Sequence, residues 1–145
     1  MTRSERAVDL FRQQLNCSQA VFAAYRQEEV LDEATALRLA TVFGAGGAGT
    51  GSGRCGAVSG ALLAISLKHG RKDVASAEAR TRTYELARRF TAEFEARNGS
   101  CTCQEILGIN IGTAEGYEQA RGLGLFETRC AEAVRSAAEI LDRLL

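Results

Sequence analysis

Gly44-Ala45-Gly46-Gly47-Ala48-Gly49-Thr50-Gly51-Ser52-Gly53-Arg54 interrupts a chain that otherwise reads as helix from end to end. Each glycine costs about 1 kcal/mol of helix propensity against alanine, so this stretch cannot continue a helix. It is instead free to adopt positive φ and to let another backbone come close. On its near side, Asp32 caps a helix whose apolar positions are Ala36, Leu39, Ala40 and Phe43. On its far side, a helix runs from Cys55 to about His69 with Val58, Leu62 and Ile65 as its stripe, and Gly70 stops it. Gly56 and Gly60 leave a shallow groove on that helix where a second backbone can lie.

The same rhythm extends outward. Arg3 to Gln13 carries Ala7, Leu10 and Phe11 on one face, and Asn16 is an N-cap for a short helix with Cys17, Ala20, Val21, Ala24 and Tyr25. The two can equally form one bent helix. Beyond the glycine loop, a long helix is predicted over Lys72 to Arg97, using Val74, Ala77, Tyr84, Ala87, Phe90 and Phe94. Asn98-Gly99-Ser100 ends it, and Thr102 can cap a turn through Glu105, Ile106 and Leu107 that Gly108 closes. A polar helix from Thr113 to Arg121 leads through Gly122-Leu123-Gly124 to a last helix from about Glu127 to Leu145. That helix carries Cys130, Val134, Ala137, Leu141 and Leu144 on one face. No alternating strand pattern interrupts the series. The expectation is an all-α fold: one compact helical bundle with a central glycine-rich loop, residues 1–145 forming a single domain.

Composition narrows the function classes. Lysine plus arginine equal aspartate plus glutamate at 18 each, and no basic stripe with interleaved aromatics occurs, so nucleic-acid binding is not expected. The longest apolar stretch, Ala57 to Leu67, is broken by Ser59, Gly60 and Ser66 and falls short of the about 20 residues that span a bilayer. The charged opening Met1-Thr2-Arg3-Ser4-Glu5-Arg6 is unlike a signal peptide. The chain is therefore expected in the cytoplasm without membrane insertion. In that compartment its five cysteines are better read as metal-binding, catalytic or buried than as structural disulfides.

None of Cys17, Cys55, Cys101, Cys103 and Cys130 forms a Cys-x-x-Cys pair. Cys17, Cys55 and Cys103 share a place in the first turn of a predicted helix. Free N–H groups and the helix dipole there favour thiolate, and Arg54 beside Cys55 acts in the same direction. Converging helix starts would make an electropositive pocket lined with sulfur. On the residues alone this stands level with five unrelated core thiols packing as small hydrophobes. Cys55 is the strongest functional candidate, because a glycine loop precedes it and Gly56 follows. Gly44 to Gly49 formally fits a dinucleotide fingerprint. It has neither the preceding strand nor the later acidic residue, position 69 being a histidine. His69 suits a helix C-terminus better than a metal site, and Ser59 lacks the setting of a nucleophile elbow.

The cysteine contexts are also recognisable together. Asn16-Cys17-Ser18-Gln19-Ala20-Val21, Cys55-Gly56-Ala57-Val58-Ser59-Gly60-Ala61, Cys103-Gln104-Glu105-Ile106-Leu107-Gly108 and Cys130 follow one another in the order of the C_GCAxxG_C_C family of redox-active proteins, which the chain resembles over nearly its whole length. The resemblance implies that Cys17, Cys55, Cys103 and Cys130 are the working thiols, with Cys101 extra to the pattern. The family is also similar to the iron–sulfur domain of split-Soret cytochrome c, which implies that the four cysteines can hold a cluster. An all-sulfur donor set suits an iron–sulfur cluster, and zinc less well because structural zinc usually takes closely spaced cysteine pairs. Gly53 and Gly56 would then bring backbone N–H groups to the cofactor. Electron transfer to a protein partner, of unknown identity, is the leading expectation. The alternative is a thiol–disulfide oxidoreductase with Cys55 as nucleophile and Cys103, Cys101 or Cys130 resolving. A third is a helical interaction module with passive cysteines. The apolar helix faces allow a homodimer.

Overall fold

The computed structural model describes residues 1–145. Its elements are α1 (Arg3–Arg12), α2 (Cys17–Tyr25), α3 (Glu33–Ala40), α4 (Gly56–His69), α5 (Glu78–Asn98), α6 (Cys103–Leu107), α7 (Ala114–Gly122) and α8 (Ala131–Leu144). The fold is all-α, as the sequence indicates. The only β-type pairing is an isolated antiparallel bridge between Arg54 and Thr102. No helix is long and apolar enough to cross a membrane.

Two helices with almost no polar side form the centre, as expected for helices buried on all sides. In α2 the run from Ala20 to Tyr25 is buried, and in α4 Val58, Ala61 and Ile65 are sealed. They cross where Gly60 meets Ser18: a Cβ on Gly60 would stand 2.6 Å from the Ser18 carbonyl oxygen. The groove read from Gly56 and Gly60 is thus occupied by the backbone of α2. Around this pair lie α1, α3, α5 and α8. Stacked Phe90 and Phe94 on α5, 6.0 Å between ring centroids, fill the core with Val134, Ile140 and Leu141 of α8. The Tyr25 hydroxyl lies 2.6 Å from Asp142 Oδ1 and 2.8 Å from the Ala138 carbonyl, so its proton ties α2 to α8.

Several boundaries differ from the sequence reading for local reasons. α1 and α2 are separate helices, because Gln14 takes φ 75° and Asn16 restarts the chain with a full capping box. Asn16 Oδ1 accepts from Gln19 N–H at 2.8 Å and Gln19 Oε1 accepts from Asn16 N–H at 3.1 Å. The fifth helix starts at Glu78, not Lys72. Asp73 and Ser76 cap each other around a 3-10 turn, a local alternative to continuing the helix, and Val74 is left 85% exposed. Tyr84 is exposed and Thr83 and Leu86 lie inward instead. On α3 only Ala36 and Ala40 are buried, while Leu39 and Phe43 face outward. Thr102 precedes α6 without a side-chain cap, and its N–H is taken by Ser100 Oγ at 3.0 Å. The last helix begins with a π-helical turn, Phe126–Cys130, before α8 proper.

Candidate functional site

Four of the five cysteines arrive at one cavity from four separate elements. Cys17 is the first residue of α2, Cys55 the N-cap of α4, Cys103 the first residue of α6, and Cys130 closes the π-turn ahead of α8. All four line a cavity of about 590 Å³. Cys101 does not. Its Sγ instead donates to the Thr91 carbonyl at 3.7 Å. The extra cysteine is thus turned toward α5 and out of the cavity.

The glycine loop and the Cys101–Cys103 segment hold this arrangement together. Cys55 N–H donates to the Cys101 carbonyl at 2.8 Å, and Cys103 N–H donates to the Gly53 carbonyl at 2.9 Å, on either side of the Arg54–Thr102 bridge. Gly53 therefore positions Cys103 through its carbonyl. It does not line the cavity, whereas Gly46 and Gly56 do. A Cβ on Gly53 would strike the Gly46 carbonyl, and one on Gly56 would stand 3.0 Å from Ser18 N and 3.1 Å from Cys17 Cβ. Only glycine lets the Cys17 and Cys55 helix starts approach so closely. Arg129 Nη1 donates to the Ile106 carbonyl at 3.0 Å, tying the π-turn that carries Cys130 to the helix that carries Cys103.

The electrostatics reverse one expectation. Helix starts favour thiolate, yet burial pushes the Cys55 thiol up to about 12, although the N–H groups of Ala57 and Val58 pull the other way. Cys103 is pushed up to about 11, by burial first and then by the charge of Cys130. Desolvation outweighs the dipole because both residues are buried, Cys55 at 6% and Cys103 at 7% exposure. The charge of Arg54 opposes the rise at Cys101, where burial nevertheless wins. Cys17 and Cys130 behave as a pair: each shifts the other's ionisation, so that Cys130 is held below its ordinary range and Cys17 is raised well above it. Glu127 acts against the depression at Cys130.

The cavity has a graded lining. Its floor is Cys55, Gly56, Cys103, Ile106 and Leu107, all buried. Half-buried Phe11, Leu15, Ile111 and Phe126 form apolar walls, and exposed Arg12, Gln14, Tyr117, Arg121 and Glu127 form the rim. Wall and rim were not legible as site residues. They come from distant segments and carry no motif. Asn16 marks the cavity only through its neighbour Cys17. No histidine lines it, and His69 closes α4 elsewhere. The thiols line the cavity without being gathered into a preformed ion-holding group. A donor set of four sulfurs fits soft metal chemistry, while the size of the space exceeds what a single ion needs.

A small all-α fold whose dispersed cysteines line one cavity has the makings of a redox-active protein. The chain belongs to the family described as "Putative redox-active protein (C_GCAxxG_C_C)", whose model matches residues 15–144. No curated protein and no solved structure gave a significant match.

Proposed function

We propose that Cys17, Cys55, Cys103 and Cys130 bind an iron–sulfur cluster for electron transfer in the cytoplasm. The observation that carries this reading is the convergence of these four cysteines, from four elements, on one cavity from which Cys101 is turned away. When bound, the cluster supplies one-electron chemistry. The chain supplies soft ligands, a floor shielded from water, and backbone bonds that hold Cys55 against Cys103. The raised thiols are consistent with ligands that lose their protons to a metal and to nothing else nearby. Zinc remains the less suited ion, because the ligands are dispersed and the space is large.

Anaerobic purification with measurement of iron, sulfide, zinc and the visible spectrum tests this directly. Iron with matching sulfide and a charge-transfer band that Cys55→Ala abolishes is the expected result. Colourless, metal-free protein that stays so after attempted reconstitution refutes it.

One observation favours a second reading, thiol–disulfide exchange: Cys17 and Cys130 line the same cavity, and each shifts the other's ionisation. In that case the nucleophile is Cys130, the one thiol held low, and Cys17 resolves, because Cys55 is buried and hard to ionise.

A further inference from the structure

The cavity is larger and more apolar than four sulfur ligands require. At about 590 Å³ it falls within the range of small-molecule sites, roughly 300–1,000 Å³, which are mostly apolar with a few placed polar groups. The sulfurs of Cys55 and Cys103 belong to the buried floor. The outer part is walled by Phe11, Leu15, Ile111 and Phe126, and Tyr117 leans on Phe126 with 5.0 Å between ring centroids. The outer part is thus an apolar slot with aromatic side chains in its lining.

Its rim carries Arg12, Arg121 and Glu127, of which Arg121 is already paired with Glu118 at 2.7 Å. Arg12 takes part in none of the chain's ion pairs. It stands at the end of α1, just before the sharp left-handed residue Gln14 that turns the chain along the cavity edge. An uncommitted guanidinium beside an apolar slot is suited to orient an acid, since arginine presents a fork that matches carboxylate and sulfonate oxygens.

We propose that the outer part of the cavity binds a small organic anion with a flat apolar body, its acidic group held at Arg12 and its body between the Phe11 and Tyr117–Phe126 sides. This site needs the cavity and not the metal, so it goes beyond the cluster reading and stands or falls separately. It also gives the redox centre a substrate-sized neighbour, with the ligand lying between the sulfur floor and solvent.

The test uses the full-length reduced chain as purified, with anilinonaphthalene sulfonate as the anionic probe and neutral N-phenylnaphthylamine as its uncharged counterpart. Both are followed by fluorescence and equilibrium dialysis. The expected result is one saturable site per chain for the sulfonate. Arg12→Gln weakens the sulfonate about tenfold and leaves the neutral probe within about twofold. Phe126→Ala weakens both probes, and Arg135→Gln, outside the cavity, weakens neither. No saturable binding, several equivalent sites, or sulfonate affinity unaffected by Arg12→Gln overturns the proposal. Iron and sulfide are measured on the same samples. Loss of probe binding with full iron refutes the anion site alone, and probe binding to protein that stays iron-free after attempted reconstitution refutes the cluster reading alone.

Discussion

Gly60→Ala is the sharpest test of how the fold positions the cysteines. Gly60 lies in mid-α4, where alanine on propensity alone stabilises a helix by up to about 1 kcal/mol. The structure predicts the opposite sign. The new methyl would stand 2.6 Å from the Ser18 carbonyl oxygen and 3.1 Å from Ser18 Cα, both backbone atoms of a buried helix that no rotamer change can move aside. Forced expansion of a packed core costs about 1–3 kcal/mol, and a backbone-on-backbone clash belongs at the upper end. Set against the propensity gain, the net loss is about 2 kcal/mol, which for a chain of this size lowers Tm by about 6 °C. Thermal and urea unfolding followed by circular dichroism measure it. Gly122→Ala is the control, since its added methyl meets nothing within 4 Å and should be neutral or mildly stabilising. Because the same crossing sets Cys17 against Cys55, Gly60→Ala should also reduce metal uptake. A Gly60→Ala protein as stable as the parent would refute the close crossing and the account of the site built on it.

Cys101→Ser should keep iron content and spectrum near the parent values, while Cys103→Ala should lose them; elemental analysis of the two variants checks the assignment made by side-chain direction. Asn16→Ala removes the side-chain half of the α2 capping box, the Oδ1 that accepts from Gln19 N–H, and should cost about 1 kcal/mol in urea unfolding. The reduced chain should lose stability under alkaline conditions. Burial holds Cys55 protonated when folded, so its contribution is full below the ordinary thiol value of 9.0 and is lost as pH rises toward about 12. Cys55→Ala should flatten that decline in urea midpoints measured from pH 8 to 10.5. In the reduced parent protein, mass spectrometry after brief iodoacetamide treatment should find Cys130 alkylated before Cys55.

The helices were legible because their signals are local. Asn16 and Asp32 announce caps that the structure forms, and Gly70, Gly99 and Gly108 mark three helix ends. Errors fell where two local signals compete. Val74 fits the apolar period of α5, but Asp73 and Ser76 bond each other first and delay the helix to Glu78. The π-turn at Phe126–Cys130 has no signature in composition, and it is the element that carries Cys130. The four cysteines, Cys103 among them and Cys101 extra, could be named from their contexts, whereas the contact that turns Cys101 toward Thr91 required the packing of α5. The rim of Arg12, Tyr117 and Arg121 required the packing of α1 against α8 and the placement of α7, which no short-range pattern encodes.

The ionisation of the thiols separates the two chemical readings. A nucleophilic cysteine needs its thiolate stabilised by the protein itself, and only Cys130 meets that condition here. Cys55, with its glycine context and helix start, is held protonated by its burial. A ligand cysteine faces the reverse requirement: it can be hard to ionise alone, because the metal provides the counter-charge and displaces the proton. The two readings therefore assign different work to the same residue. Under cluster binding Cys55→Ala removes one of four ligands and the spectrum disappears. Under thiol exchange it leaves the Cys17–Cys130 pair intact, and a disulfide between them still forms on mild oxidation. Spectrum and disulfide content of that one variant divide the alternatives, and the burial of Cys55 at the convergence of α2, α4 and α6 weighs toward a ligand.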